Sequence, residues 1–397
     1  MSLDLTKLIS QVGDMVARLK AGSRERQERL DRACETLSSH AGNLDALRDK
    51  IAGSKTTWLV AGIVEGLDGC HRPPSLPAEF AVIATDGSHI DVDRHRATRC
   101  FLINIGTVML RYGSDPSAAL DSRPRLYAED EDLVIASAGM RGREQPIEGA
   151  LLGIKRAVEE CRWLADLATS TPPDAPTLAL LDGSLILWGL EAYAEFVTEE
   201  LLDRGFLPGL EKLRKMAGER ELALASYISL PRGTDVVNTL KIALCPKETV
   251  DSDRCPDCET RECDAVVGVR DREVFARLLA PGERSDVFLS SSKVLRRYGA
   301  HQVYFFYLNV DDEVARVEVP HWVATNDSRL SLAHSLVLDQ CRRGHGYPVA
   351  LSEAHERAVV TGADAQSFWQ LVEASMTEEK LPLSGSAKSR SKRTRWV

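Results

Sequence analysis

Two apolar runs drive into the same tripeptide about a hundred residues apart: AVIATDGSHI at 81–90 and TLALLDGSLI at 177–186. Asp-Gly by itself is a common turn signal. Here each occurrence closes a strand-like run, and the stretch between them has its own order. FLINIGTVMLRYG and RLYAEDEDLVIASA read as two further strands set apart by turn residues. IEGALLGIKRAVEECRWLADLA follows with helical periodicity, and STPPDAP stops it. Three strands, a helix and a returning strand leave few topologies open, because a helical crossover brings the chain back parallel to the strand it left or to a neighbour. With the fourth strand beside the first, both Asp-Gly-Ser ends share one edge of the sheet. Asp86 and Asp182 then stand side by side.

Carboxylates in that position are costly neighbours, since each like charge raises the pKa of the other. A divalent cation removes the penalty, and oxygen-rich sites suit Mg²⁺ or Mn²⁺. The glycine after each aspartate is expected to turn the backbone away and leave room for substrate. A third carboxylate is expected from the crossover helix, where Glu159 and Glu160 are adjacent. Glu160 precedes Leu164 and Leu167 by four and seven residues, so it shares their buried stripe and is the one selected. The segment GHGYPVALSEAHERAV adds Tyr347 and His355, with Pro348 permitting a helix start between them. His355 suits metal ligation or proton transfer near neutral pH, and Tyr347 suits holding a phosphate oxygen or an attacking water. Each of these residues also has a plainer reading: a turn aspartate, an exposed helical glutamate, a structural histidine.

Residues 1–52 read as helix, with Leu5, Leu8, Ile9, Val12, Val16 and Leu19 on one face. They form a helical hairpin or an arm against a partner, and residues 1–70 are assigned to this N-terminal arm. CHRPPSLPAEF is a linker, residues 71–375 form the main domain, and 376–397 a basic disordered tail carrying Lys388, Arg390, Lys392, Arg393 and Arg395 without one acid. Four of the nine cysteines crowd into a Cys-rich insertion at 245–263: Cys245, Cys255, Cys258 and Cys263. Four thiolates suffice for a structural Zn²⁺ or a [4Fe–4S] cluster, and this site is not expected to cut anything. No apolar stretch approaches the roughly 20 residues of a bilayer span, and no secretory signal opens the chain, which reads as cytoplasmic. The net charge of −9 argues mildly against wrapping nucleic acid with the whole surface but leaves a local basic groove open.

IATDGSHID, LALLDGSL, PGERSDVF, YFFYL…ARVEVPHWVA and GYPVALSEAHERAV, in that order, resemble the NurA nucleases of DNA double-strand break repair. The resemblance runs from about Ala81 to Val372. It implies an α/β fold, an RNase H-like mixed sheet flanked by helices, and a homodimer. It implies Mn²⁺-dependent cleavage of DNA, with 5′-to-3′ exonuclease and single-strand endonuclease activity, working with the hexameric ATPase HerA. By position it makes Asp86, Asp182 and a helix glutamate, Glu160 or Glu159, the metal ligands, completed by His355, with Tyr347 as an active-site tyrosine. The chain has no phosphate-cradling P-loop of its own, which agrees with a motor supplied in trans. Two other functional classes remain: a catalytically silent RNase H-like subunit that places a motor on DNA ends, and a metal-dependent phosphoesterase of small nucleotides.

Overall fold

The computed structural model describes residues 4–93, 98–139 and 142–381. The five basic residues named in the tail lie outside them. The chain divides into two units, one of residues 74–228, 293–303 and 318–397, the other of 1–73, 229–292 and 304–317. The first boundary falls between Pro73 and Pro74, inside the proline-rich linker.

The unit beginning at residue 74 is built on a mixed sheet. Strand β1, Phe80–Ile90, pairs antiparallel with β2, Phe101–Tyr112, which pairs antiparallel with β3, Ser117–Tyr127. Helix α1, Ala150–Ala168, crosses over to β4, Thr177–Asp182, which lies parallel to β1; β5, Leu222–Ile228, lies parallel to β4. The order across the sheet is β3-β2-β1-β4-β5. β1 and β4 read as near-continuous apolar runs because the helices cover both of their faces, and Val82, Ile83, Leu178 and Leu180 are fully buried. Helices α2, Asp327–Arg343, and α3, Val349–Ala358, close the unit. Asn104 Nδ2 of β2 donates to the carbonyls of Arg357 and Ala358 at 3.0 and 2.9 Å. Those bonds satisfy acceptors that a helix end leaves open, and they hold α3 across β1 and β2.

The third strand differs from the sequence reading. RLYAEDEDLVIASA is not one strand: β3 ends at Tyr127, Asp130–Leu133 makes a helical turn, and Val134–Ala136 pairs with Glu144–Pro146 in a separate ribbon. The acidic run EDED explains the break, since acids are depleted in strands and favoured in the first turn of a helix.

The other unit gathers the N-terminal helices around a core of Leu37, Leu67, Leu240, Phe275, Phe288 and Phe305. Helix Ser23–His40 buries Ala33, Thr36 and Leu37, whereas Ile9–Ala21 buries nothing and carries Ile9, Val12, Val16 and Leu19 as an exposed apolar stripe. A buried polar network crosses this core. Asp271 accepts from the Val236 and Val237 backbone N–H groups at 3.1 and 2.8 Å and from the Tyr307 hydroxyl at 2.8 Å. Arg316 pairs with Asp235 at 3.2 Å and stacks on the Phe305 ring. Burial first, then the Asp235 charge, pushes Asp271 up to about 6. Among the described residues, no helix is long and apolar enough to cross a membrane.

Candidate active site

The last registered pair of β1 and β4 is Thr85 with Leu181. Asp86 and Asp182 stand one residue further along their strands, so the parallel register puts the two aspartates at neighbouring positions. Asp86 is buried; its Oδ2 lies 2.7 Å from Nδ1 of His355, on the exposed face of α3. Its Oδ1 accepts from the Gly87 backbone N–H. Asp182 is exposed at the strand end, and its Oδ1 accepts from the Tyr347 hydroxyl at 2.8 Å. The Tyr347 ring meets Tyr227 of β5 edge-on, with centroids 5.5 Å apart, which fixes its direction.

Side chains alternate along a strand, so Asp86 faces α3 while Thr85 and Gly87 face α1. Thr85 Oγ1 donates to the Glu160 carbonyl at 3.0 Å. A Cβ at position 87 would stand 2.6 Å from Glu160 Oε1. The absent side chain at Gly87 therefore makes the space that the Glu160 carboxylate fills, reaching the edge of β1 from the opposite face. The expectation that both Asp-Gly pairs turn the chain fails here. β1 continues through Gly87 to Ile90, paired with β2 along the way, because an antiparallel neighbour is present to continue the ladder. The second pair does turn: Gly183 has φ +81°, open to glycine without strain.

Glu160 and Glu159 are both buried but serve different surroundings. Glu159 pairs with Arg162 at 3.2 Å and Lys155 at 3.8 Å. Glu160 pairs with Arg156 at 3.0 Å, yet its Oε1 accepts no well-aligned hydrogen bond. Desolvation pushes Glu160 up to about 7, opposed by Arg156 and reinforced by the charges of Asp86 and Asp182. The carboxyl of Asp182 is raised as well, by desolvation first and by Asp86, against the lowering effect of Tyr347 and the Gly183 N–H. Tyr347 is raised, by burial and then by Asp182. The five residues singled out in the sequence thus meet in two hydrogen-bonded pairs and one helix carboxylate whose ionisation both aspartates oppose.

Three contributors were not legible beforehand. Arg156 is the counter-charge of Glu160. Glu318, on the strand Val314–Pro320, accepts from Ser184 Oγ at 2.8 Å and from the Leu185 N–H at 3.0 Å, fixing the loop that follows Asp182. The only signal for Glu318 was an acid within the apolar run VARVEVP. The third contributor is a separate constellation in the other unit: Glu65, His71 and Asp286 bring one ligand atom each within 4.8 Å of one another. Asp286 is buried there, accepting from the Gly69 N–H and bonding His71 Nε2, both at 2.8 Å.

The expected Cys cluster also lies in that unit. Cys245 follows the helix Asp235–Leu244, Cys255 and Cys263 lie in two short helical turns and Cys258 between them; none is in a disulfide.

The mixed α/β fold sets Asp86 and Asp182 at the ends of neighbouring parallel strands with Glu160 reaching the same edge, although no three ligand atoms among Asp86, Glu160, Asp182 and His355 lie within 4.8 Å of one another. The family is specific: residues 80–360 match the NurA domain, and the chain belongs to the NurA family. Among solved structures, the NurA nuclease from Sulfolobus solfataricus is similar in fold, with a TM-score of 0.51 and 12% identity over 96% of this chain and 98% of that one. An Argonaute from Aquifex aeolicus matches at a TM-score of 0.26 and 10% identity over 70% of this chain and 28% of that one. No curated protein matches by sequence.

Proposed function

We propose that this chain is a metal-dependent DNA nuclease of double-strand break repair that hydrolyses phosphodiester bonds through Asp86, Asp182, Glu160, His355 and Tyr347. The observation that carries the reading is the helix carboxylate: Glu160 is buried, its Oε1 has Arg156 at 3.0 Å as an ion-pair partner but no well-aligned hydrogen bond, and the two strand aspartates oppose its charge. A group held at such cost fits a cation. A donor set of three carboxylates and one imidazole, without sulfur, suits Mn²⁺ or Mg²⁺ over softer metals. Asp86, Asp182 and Glu160 would hold the ion or ions, with His355 as a further ligand. Bound there, divalent cations supply an activated water and neutralise charge on the scissile phosphate.

The protein groups have distinct tasks. Tyr347 donates its hydroxyl proton to Asp182 Oδ1 and keeps that carboxylate in one rotamer. With Nδ1 donating to Asp86, His355 keeps Nε2 as its free ring nitrogen, able to accept a proton from water or to ligate. Glu318 holds the backbone after Asp182, and Gly87 keeps the path of Glu160 open.

The finer reading follows from family membership: an RNase H-like core, 5′-to-3′ exonuclease and single-strand endonuclease action, and a homodimer working with a HerA-type hexameric ATPase. The sheet order, with β4 parallel beside β1, supports the core. The exposed edge β3, eleven residues long, supports pairing with a second copy, because an uncovered edge is a template for another strand. The test is cleavage of linear DNA labelled at either the 5′ or the 3′ end, in Mn²⁺, Mg²⁺ or chelator, with and without a HerA-type ATPase. Metal-dependent release from the 5′ end supports the reading. No cleavage in any arm contradicts it.

A further inference from the structure

One segment is ordered without the apolar burial that ordering requires. From residue 251 to 265 no side chain is buried; Val250 and Val266 mark the limits. The chain nevertheless follows two short 3₁₀ turns, Ser252–Asp257 and Glu262–Val266. Fixing a backbone costs entropy at every residue, and a segment with no core of its own needs another source of stabilisation.

That source is visible in what the segment surrounds. Cys245, Cys255, Cys258 and Cys263 all line one cavity of about 380 Å³. Cys245 is placed by the end of the helix Asp235–Leu244, where its carbonyl accepts from Lys50 Nζ; Cys255 and Cys263 come from the two turns and Cys258 from the link directly after the first. The same wall carries Lys241, Lys247, Arg254 and Arg261 against Asp251 and Asp264, a surplus of two positive charges. Four thiolates around a divalent ion, or around a [4Fe–4S]²⁺ core, leave two negative charges.

We propose that these four cysteines hold a metal centre that staples residues 245–263 onto the unit, apart from the carboxylate site and taking no part in cleavage. Loading deprotonates all four thiols, so the centre forms with release of up to four protons. No three of the sulfurs lie within 4.8 Å of one another. A single tetrahedral Zn²⁺ with Zn–S near 2.3 Å needs neighbouring sulfurs about 3.8 Å apart, so loading it draws the thiols inward from their positions around the cavity. A four-iron cluster accepts wider thiolates. The ligand chemistry is shared, and measurement distinguishes the occupant.

The experiment uses the full chain, purified without oxygen and without added metal, beside a Cys255→Ser/Cys258→Ser variant. Metal and sulfide analysis, visible absorption and limited proteolysis are read on both. About one Zn²⁺ per chain without colour, or about four iron and four sulfide with broad visible absorption, supports the proposal if the variant loses it and is cut between 245 and 264. All four of these thiols found free by alkylation and peptide mapping, with no metal in the native chain, overturn it. So does metal that persists in the variant, which places it elsewhere, for example at Glu65, His71 and Asp286. Nuclease activity is a separate readout, so a failure here leaves the carboxylate site untouched.

Discussion

Glu160→Gln is expected to make the metal-free protein more stable at alkaline pH while removing its activity. Glu160 is held up at about 7 against an ordinary 4.5, chiefly by desolvation and further by Asp86 and Asp182. A raised carboxyl binds its proton more tightly in the folded state than in the unfolded one. Its contribution to stability is therefore complete below about pH 4.5 and is lost as pH rises towards 7 and beyond. At 1.36 kcal/mol per pKa unit the loss is about 3 kcal/mol near pH 8. Gln keeps the shape and carries no charge, so the variant escapes the loss. Arg156 forfeits its partner, but it is a third exposed and can turn to water. Urea denaturation of both proteins in chelator, from about pH 4 to 8.5, gives the difference directly. The expected curve starts near zero and climbs to about 3 kcal/mol in favour of the variant. Mn²⁺ should then close the gap by stabilising the wild type alone. A difference that does not change with pH, or a variant weaker than wild type near pH 8, would refute the reasoning.

Gly87→Ala adds a methyl group 2.6 Å from Glu160 Oε1. It should cost about 1–3 kcal/mol of stability and abolish cleavage without altering any acidic residue, as thermal melts and a nuclease assay would show. Glu318→Ala frees the loop after Asp182 and should lower metal affinity or turnover by roughly 10–100-fold, with secondary structure unchanged by circular dichroism. In the other unit, Arg316→Leu leaves Asp235 buried beside Asp271 without its cation; a loss of about 3–5 kcal/mol is expected in denaturant titration, smaller at acid pH, where the pair can take up a proton.

The order of strands around α1 was readable because apolar periodicity, not individual contacts, decides it. The burial of Glu160 was readable for the same reason, and Glu159 beside it is buried too, each resolved by its own cationic partner. Gly87 was misread, because Asp-Gly is turn chemistry only where no neighbouring strand continues the pairing, and β2 does. Glu318 and Asp286 were out of reach. Glu318 acts on Ser184, more than a hundred residues away in the chain, and Asp286 enters between Gly66 and Gly69, where a Cβ would stand 2.4 and 2.1 Å from its oxygens. Such cradles depend on two distant segments meeting and leave no periodic trace. The run LVIASA was assigned to a strand of the main sheet on its β-propensity, whereas the acids before it diverted the chain into a short ribbon.

Replacing the native cation by Fe²⁺ and generating hydroxyl radicals from it cuts the backbone only beside bound metal. Fragment masses should then place the cuts next to 86–87 and 182–183, suppressed by excess Mn²⁺ and missing in Asp86→Asn. Cuts confined to 65–71 and 286, with 86 and 182 intact, would mean that the strand-end acids bind no ion.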